Sequence, residues 1–240
     1  GYSGKGRMKE PEEIFAYVDE KCRAEQRIDL SGKKIIVTAG GTVEPIDPVR
    51  FLTNRSSGKM GYALAENAAA FGADVTLVHG PVRLADIPGV EMVETVTADE
   101  MASEVLKRYE EADVVIMAAA VADYRPEKFY DEKVKKSDGD WNLRLVRNVD
   151  ILKLLGERKT KQKLVGFAAE TENLLENAQK KLIKKNVDLL VANDVSRTDV
   201  GFGSDENEVF LLFRNGDKKN ISKTSKGKIA QDVLSELSSL

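Results

Sequence analysis

Short apolar segments alternate with helix-period patterns through most of this chain. Apolar runs with the length of buried strands lie at 34–38, 73–80, 91–96, 113–120, 163–168 and 188–192. Helical patterns begin near residue 58 and occupy 98–110, 150–158 and 172–185, and Thr97 and Glu100 have capping-box spacing. Strands that alternate with crossover helices favour a doubly wound, mainly parallel sheet, so the predicted fold class is α/β and Rossmann-like.

The C-terminal part follows a different pattern. Strand-like segments at 208–213 and 220–222 flank RNGDKK, in which Asn215, Gly216 and Asp217 are turn residues. We predict a C-terminal β-hairpin there, followed by a closing helix at 225–237.

The 172–185 helix is predicted to be amphipathic. Its apolar residues are expected on one face, which consists of Leu174, Leu175, Ala178, Leu182 and Ile183. Its lysines at 180, 181, 184 and 185 are interpreted as the solvated face.

The junction between the first strand and the first helix carries the main chemical signal. The strand ends at Gly40-Gly41, and a loop of about sixteen residues, longer than a simple connection, leads to the helix. A helix N-terminus presents unpaired N–H groups and a positive dipole end, so we expect an anion there, most often a phosphate. Ser56 can cap or donate, while Gly58 and Gly61 leave room for a ligand at the backbone. Neither G-x-G-x-x-G nor G-x-x-x-x-G-K-[ST] is matched, and a helix start that needs only small residues remains an alternative.

Composition narrows the class of protein. The chain has 240 residues, of which 42% are hydrophobic and 32% charged, and its net charge of −3 gives no electrostatic case for nucleic acid. One cysteine, Cys22, and one histidine, His79, disfavour a zinc site or a serine triad. Apolar runs fall short of the ~20 residues of a membrane span, and a signal-peptide pattern is absent from the sequence, so a cytoplasmic protein without membrane contact is the default expectation.

Five segments then resemble one known family. In chain order they are GGTVEPIDPVRFLTNRSSGKMG, AAAVADYRP, DEKVKK, GFAAET and VANDV. Together they are similar to phosphopantothenoylcysteine synthetase, the phosphopantothenate–cysteine ligase of coenzyme A biosynthesis. The resemblance covers residue 31 to the C-terminus.

The resemblance also implies how the chain is divided. Many bacterial relatives carry this ligase behind an N-terminal flavin-dependent decarboxylase domain, and GKGRMKEPEEI is similar to the end of that domain. Residues 1–30, with a short helix predicted after Pro11, are therefore expected to be a connector, and 31–240 the ligase domain. We expect this chain to lack the flavin domain and to bind no flavin.

The resemblance implies a ligase that works in two steps. The carboxylate of 4′-phosphopantothenate attacks CTP to give an acyl cytidylate and pyrophosphate, and L-cysteine then displaces CMP. Mg²⁺ is implied as a cofactor. CTP rather than ATP follows only from the bacterial character of the motifs.

Family positions in the glycine and serine loop supply the first candidate residues. Asn54 is implied to hold the pantothenoyl intermediate, and its amide suits oxyanion stabilisation in the second step, although an Asx-turn role is the alternative. Ser56, Gly58 and Gly61 are implied to bind the triphosphate, with Gly40 behind them. Arg50 matches a position that reaches the substrate phosphate of the neighbouring subunit in the family homodimer; by itself it reads as a surface arginine.

The later motifs supply the remaining binding residues. Ala119 and Ala120 are implied to approach phosphopantothenate through their backbone, and Asp123 to bind it. Asp123 could accept from the pantothenate, help to hold Mg²⁺, or only cap a turn. Phe167 is expected to border the nucleotide, although it could be a core residue, and Asn193 to hydrogen-bond the sugar or base.

A charged segment at 125–140, here called the flap, carries the candidate for the first step. It is poor in aliphatic residues and is predicted to contain neither strand nor helix. A solvated lysine loop is the simpler reading, but the family pattern assigns Lys133 to charge stabilisation over the phosphates.

The placement of the motifs supports one site, because four of them are expected to follow predicted strands, where ligands of open parallel sheets gather. A nucleotide-binding module without turnover would leave Asn54 and the flap lysines unexplained. A nicotinamide-dependent oxidoreductase would need G-x-G-x-x-G and an acid where His79-Gly80 ends the second strand. Homodimer contacts are expected from either the hairpin after Glu208 or the loop Glu44–Thr53.

Overall fold

The computed structural model describes residues 9–15, 17, 28–136, 139–170, 173–194 and 204–237. Within them the strands are β1 (Lys34–Ala39), β2 (Val43–Pro45), β3 (Phe51–Thr53), β4 (Asp74–His79), β5 (Glu91–Glu94), β6 (Val114–Met117), β7 (Tyr124–Pro126), β8 (Leu145–Arg147), β9 (Lys163–Glu170), β10 (Leu189–Asp194), β11 (Glu206–Phe213) and β12 (Lys218–Ser225). Among the described residues from 28 onward, the helices are α1 (Lys59–Ala70), α2 (Ala98–Tyr109), α3 (Ile151–Arg158), α4 (Leu174–Lys184) and α5 (Lys226–Leu237).

One large sheet organises these elements. Its strand order is β12-β11-β10-β9-β6-β1-β4-β5. Pairing is parallel from β5 to β10 and antiparallel for β11 and β12, so the predicted mainly parallel sheet with a C-terminal hairpin is found. Helices cover both faces because successive strand residues are buried on opposite sides: α1 and α5 pack on one face, and α2, α3 and α4 on the other.

Local capping explains where α2 begins. The Thr97 side chain accepts from the backbone of Glu100, and the Glu100 carboxylate accepts in return, which is the predicted capping box. Glu44, from the loop after β1, is buried and accepts the N–H of Ala98 at 3.0 Å. A carboxylate at this helix N-terminus is favoured by the helix dipole, so Glu44 ties the loop to the sheet layer.

Two segments contain more regular structure than the sequence predicts. The loop after β1 contains the β2–β3 ribbon, and the start of the flap forms β7, which pairs with β8. The prediction that the flap holds neither strand nor helix is therefore wrong at residues 125–126. Ladders of three residues are too short to give a periodic signal. The other described flap residues, 127–136 and 139–140, contain neither element.

The apolar face of α4 is narrower than predicted. Ala178 and Leu182 are buried and Leu174 is partly buried, whereas Leu175 and Ile183 are exposed. The buried positions are separated by four residues, the spacing of a single stripe on a helix. Lysines next to this stripe can therefore reach the neighbouring strands.

A buried ion pair fastens α3 to the sheet. Lys159 Nζ lies 2.6 Å from both carboxylate oxygens of Asp188, and Asp188 also accepts the N–H of Leu164 at 2.8 Å. Both side chains of the pair are mostly shielded from water.

Asp188→Ala is expected to destabilise the fold by about 3 kcal/mol, because it leaves the shielded Lys159 charge without its counter-ion and the Leu164 N–H without its acceptor. Urea unfolding measures the change. Glu176→Ala is the matched control, since its pair with Lys180 is exposed on both sides and should change stability by less than about 0.5 kcal/mol. Equal effects in the two variants would contradict the role given to the buried pair.

In the part of the chain described above, none of the helices combines the length and the apolar character that crossing a bilayer requires.

Candidate functional site

A cavity of about 470 Å³ opens at the carboxyl ends of β6, β9 and β10. Helix ends close it on two sides. One side, the α1–α5 wall, consists of Lys59, Met60, Gly61, Asn207 and Lys226, and the other, the α3–α4 wall, of residues 149–152, Lys181 and Lys185. Most predicted site residues line this cavity, namely Asn54, Ser56, Gly58, Gly61, Ala119, Ala120, Asp123, Phe167 and Asn193.

The start of α1 provides hydrogen-bond donors to the cavity. Gly58 caps the helix in a left-handed conformation with φ of 77°, and its N–H donates to Ser56 Oγ at 3.3 Å. The next three N–H groups, of Lys59, Met60 and Gly61, have no acceptor within the helix because they precede its first i→i−4 bond. All three residues line the cavity, so this helix end suits an anion.

Glycine occupies positions 58 and 61 for a reason other than the ligand approach that was predicted from the sequence. A Cβ on Gly58 would lie 2.8 Å from Val82, and a Cβ on Gly61 would lie 2.5 Å from the Cβ of Ala39. Both missing side chains would thus meet protein and not a ligand. Gly61 allows α1 to pack closely on β1, and the positive φ of Gly58 sets the helix start.

Asn54 is held at the rim of the cavity. Its side-chain Nδ2 donates to the carbonyl of Val121 at 3.0 Å, in the segment after β6. This bond uses one of the two amide protons and orients the other. Asn54 is exposed, so the second N–H and the amide oxygen remain accessible to a ligand.

The segment after β6 is fixed by hydrogen bonds to the strand β1 region. Ala119 N–H donates to Thr38 Oγ1 at 3.1 Å, and Ala120 N–H donates to the Gly40 carbonyl at 2.8 Å. Contact of Ala119 or Ala120 with a ligand is thereby limited to their carbonyl and methyl groups. Asp123 ends this segment with an exposed side chain, while its backbone carbonyl accepts the N–H of Asn148 at 2.9 Å.

Phe167 and Asn193 lie on neighbouring parallel strands, two residues apart in register. Phe167 lies near the end of β9 and is paired in register with Val191, two residues before Asn193 in β10. The GFAAET and VANDV patterns therefore form the ends of strands and do not follow them. Thr171 and Val195, the last residues of these two patterns, lie outside the described residues.

Arg50, Lys133 and Gly40 do not line the cavity. Arg50 donates to buried Asp47 and to the Val134 carbonyl at 2.9 Å, and it lies over the ring of Trp141 at 4.5 Å. This guanidinium holds the pKa of the Asp47 carboxyl well below its usual range. Lys133, next to Val134, is exposed, and Gly40 packs behind Gly58. The structure thus separates the first-step candidate from the other predicted residues.

Cationic residues that the sequence did not single out also line the cavity. They are Arg55, Lys59, Lys181, Lys185 and Lys226. Lys181 is exposed, as predicted for a solvated face, and Lys185 is half-buried, but both also line the cavity because these two, four residues apart, flank the buried stripe of α4. Their spacing next to Ala178 and Leu182 was the available signal. Lys226 and Asn207 gave none, because they reach the cavity only through the C-terminal hairpin and α5.

Electrostatics at the cavity favour a negatively charged ligand. Five cationic side chains line it, against the carboxylates of Asp123 and Asp150. Asp150 is already engaged, since it caps α3 and lies 3.1 Å from Lys185 Nζ. Groups of three or more His, Cys, Asp or Glu able to enclose a metal are absent from the described residues.

The fold and cavity define a Rossmann-like α/β domain whose cation-lined cavity lies at the carboxyl ends of parallel strands. The chain belongs to the DNA/pantothenate metabolism flavoprotein C-terminal domain family, whose model matches residues 30–240. It is 48% identical to the coenzyme A biosynthesis bifunctional protein CoaBC of Bacillus subtilis (strain 168), over all of this chain and 59% of that protein. The chain thus spans less than two thirds of the relative's length.

Two solved structures are similar to this fold. The crystal structure of the C-terminal domain of coenzyme A biosynthesis bifunctional protein CoaBC is 45% identical, with a TM-score of 0.75, covering 87% of this chain and 95% of that one. The DNA/pantothenate metabolism flavoprotein from Streptococcus pneumoniae is 26% identical, also with a TM-score of 0.75, covering 87% and 99%. The family resemblance and the α/β fold predicted from sequence are confirmed.

Proposed function

We propose that this domain is a phosphopantothenate–cysteine ligase of coenzyme A biosynthesis that uses CTP. In the first step a carboxylate oxygen of 4′-phosphopantothenate bonds to the α-phosphorus of CTP, and pyrophosphate leaves. In the second step the amine of L-cysteine bonds to the acyl carbon, loses a proton, and displaces CMP. The product is 4′-phosphopantothenoylcysteine.

One observation carries this proposal: segments from four distant motifs line a single cavity. Asn54 comes from the loop after β1, Ala120 from the segment after β6, Phe167 from β9 and Asn193 from β10. A nucleotide-binding module would need only the helix start and cationic walls. The oriented Asn54 amide at the rim gives the cavity a group suited to an acyl oxygen as well.

The residues of the cavity suggest how the two substrates meet. The donors at the start of α1, with Ser56 beside them, would bind the triphosphate and so present its α-phosphate near Asn54. Phe167 and Asn193 would border the nucleoside, and Lys181 and Lys185 would balance its charge. Lys133 would stabilise charge on the phosphates during the first step after movement of the flap.

In the second step, charge develops on the acyl oxygen as cysteine attacks. The free N–H of the Asn54 amide can donate to that oxygen without introducing a charge, which stabilises the tetrahedral intermediate. Asp123, exposed beside the segment 119–122, would accept from the hydroxyl or amide groups of the pantothenoyl chain.

Mg²⁺ fits this cavity in one way. Protein side chains do not enclose a metal among the described residues, but Mg²⁺ commonly uses one or two carboxylates with substrate phosphates and water. Asp123 is the carboxylate available for this role, because Asp150 already serves α3 and Lys185. Bound Mg²⁺ would neutralise charge on the phosphates.

The proposal is tested by incubating the protein with CTP, Mg²⁺, phosphopantothenate and L-cysteine. We expect equal amounts of pyrophosphate, CMP and amide product, with no product when any substrate is omitted. ATP in place of CTP tests the nucleotide preference. Nucleotide binding without pyrophosphate release would instead establish a binding module, and reduction of a nicotinamide would establish an oxidoreductase.

A homodimer and a partner domain belong to the same proposal. Exposed apolar residues cluster on the β2–β3 and β7–β8 ribbons, which contact each other, and they include Val49, Phe51, Tyr124 and Leu145. A patch of this kind favours association of two copies through the loop after β1 rather than through the C-terminal hairpin.

We also infer a cytoplasmic enzyme, a connector at residues 1–30 and, in the full-length protein, a flavin-dependent decarboxylase domain.

Phe51→Asp is expected to convert the dimer to a monomer and to reduce ligase activity at least about tenfold, because a charge in an apolar interface is costly and Arg50 lies beside it. Light scattering after size exclusion measures the mass. Ile183→Asp, an exposed apolar position on α4, is the control and should leave mass and activity unchanged. A Phe51→Asp protein that keeps the mass of a dimer would place the interface elsewhere.

A further inference from the structure

Two lysines and one carboxylate form a compact group at the α1–α5 wall. Lys226, the first residue of α5, is only 8% exposed, and its backbone N–H donates to the Asp205 carbonyl at 3.0 Å. Lys59, the first residue of α1, donates through Nζ to Asp205 Oδ1 at 2.6 Å. Both lysines line the cavity, as does the buried side chain of Asn207.

Two like charges lie close together in this group. Burial lowers the pKa of Lys226, the nearby charge of Lys59 lowers it further, and Asp205 offsets this only in part. The Asp205 side chain is 84% exposed, so much of its field is screened by water. The N-termini of α1 and α5 add positive potential at the same place. A bound polyanion would relieve the repulsion between the lysines.

The opposite wall also carries two lysines, Lys181 and Lys185, so its position rather than its charge makes it less suited to these phosphates. Lys185 there lies 3.1 Å from Asp150, which faces the same cavity and offsets its charge. The α1–α5 wall is also the one continuous with Asn54, through residues 55–61. The β- and γ-phosphates of CTP are joined to the α-phosphate, which the carboxylate of phosphopantothenate attacks. They must therefore lie next to that carboxylate. The phosphate of phosphopantothenate sits at the other end of that molecule.

We infer that Lys59 and Lys226, with Asn207 beside them, form the subsite that holds the β- and γ-phosphates of the nucleotide and then the leaving pyrophosphate. This inference rests on the proposed ligase activity for its substrate, but the subsite itself binds inorganic pyrophosphate whether or not ligation occurs. The same chemistry would accept the phosphate monoester of the acid substrate, and kinetics separates the two sources.

Lys226→Met tests the subsite, because it removes the charge and keeps most of the buried side-chain volume. Titration calorimetry with inorganic pyrophosphate and Mg²⁺ should show affinity weakened at least about tenfold, as expected for loss of one charge-assisted contact. The KM for CTP should rise by a similar factor, and the KM for phosphopantothenate should stay within about twofold. Lys228→Met is the matched control: it removes a partly exposed lysine of the same helix, paired with Asp232 and outside the cavity, and should change neither value.

Asp205→Asn should have the opposite effect. Its amide oxygen still accepts from Lys59, while the negative charge disappears, so pyrophosphate should bind about threefold more tightly.

Unchanged pyrophosphate affinity in Lys226→Met, or a KM effect confined to phosphopantothenate, would overturn the subsite. If Lys226→Met does not fold, Lys59→Met, with a partly exposed side chain, decides by the same titration. A wild-type protein that binds pyrophosphate but does not ligate would refute only the proposed function.

Discussion

Lys133→Gln is expected to reduce pyrophosphate release from CTP and phosphopantothenate by at least about a hundredfold, the scale of removing one group that stabilises transition-state charge. Glutamine keeps most of the length and polarity of the side chain and removes its charge. CTP binding should weaken much less, because the donors of α1 and the cationic walls of the cavity remain. Rapid-quench measurement of pyrophosphate, with and without cysteine, isolates this first step.

The location of Lys133 makes this prediction demanding. In the described structure it is exposed and outside the cavity, in a segment attached through Val134 to Asp47 and Arg50. A role at the phosphates therefore requires the flap to close over bound nucleotide. Lys135→Gln and Lys136→Gln make the same change in the same exposed segment and should retain near-normal rates. Equal losses of rate in all three variants would show that the overall charge of the flap matters, and not Lys133 in particular.

A second measurement separates Lys133 from general damage to the site. Acyl cytidylate prepared separately and supplied with cysteine should be converted to product by Lys133→Gln at close to the wild-type rate, because the proposed role ends when pyrophosphate leaves. Slow conversion there would contradict a first-step role. It would instead point to a contribution to binding of the pantothenoyl group.

Prediction from sequence succeeded where the local signal and the tertiary structure agree. The strands of the parallel sheet are apolar on both faces, so β1, β9 and β10 are evident as short buried runs bounded by polar or glycine residues. The capping box of Thr97 and Glu100 marked the start of α2 correctly. Because carboxyl ends of parallel strands share one edge, the positions of the motifs also predicted one site at that edge, which is where the cavity lies.

Failures occurred where position depends on distant parts of the chain. Lys226 and Asn207 reach the cavity because β11 and α5 return beside β10 and α1, and nothing around them in the sequence signals that return. Gly61 was assigned to ligand approach, whereas its missing side chain makes room for Ala39. The motif marks the same residue for either reason. Only the direction of the absent Cβ distinguishes helix packing from ligand contact.

Under the proposed function, this one cavity would serve two consecutive reactions. Donors for phosphate lie at the start of α1, and the amide that suits an acyl oxygen lies just before them, in the loop that leads into the helix. The α-phosphate and the acyl carbon of an acyl cytidylate are joined through a single oxygen. Both steps can thus occur without moving the intermediate, which shortens its exposure to water.

Asn54→Asp is expected to allow the first step and block the second. Pyrophosphate should appear in an initial burst of about one equivalent per site and then stop, with acyl cytidylate retained by the protein. The substituted carboxylate has no N–H to donate to the developing oxyanion, and its negative charge opposes that oxygen. In the wild-type protein the Val121 carbonyl accepts from Asn54 Nδ2. The carboxylate of the variant has no proton to donate to that carbonyl, so the side chain should turn away from the position that Asn54 occupies. Acid quench followed by mass spectrometry identifies the retained intermediate.

Two controls assign the block to the lost donor at this position. Asn67→Asp makes the same substitution in α1, where the amide likewise donates to a backbone carbonyl, of Ala63 at 2.8 Å, outside the cavity. It should lose some stability and keep full turnover. Asn54→Ala removes the donor without adding charge and should also accumulate acyl cytidylate, with less severe slowing of the second step. If Asn54→Asp released product at the normal rate, or failed to make the intermediate while still binding CTP, the amide would have another role than stabilising the acyl oxygen.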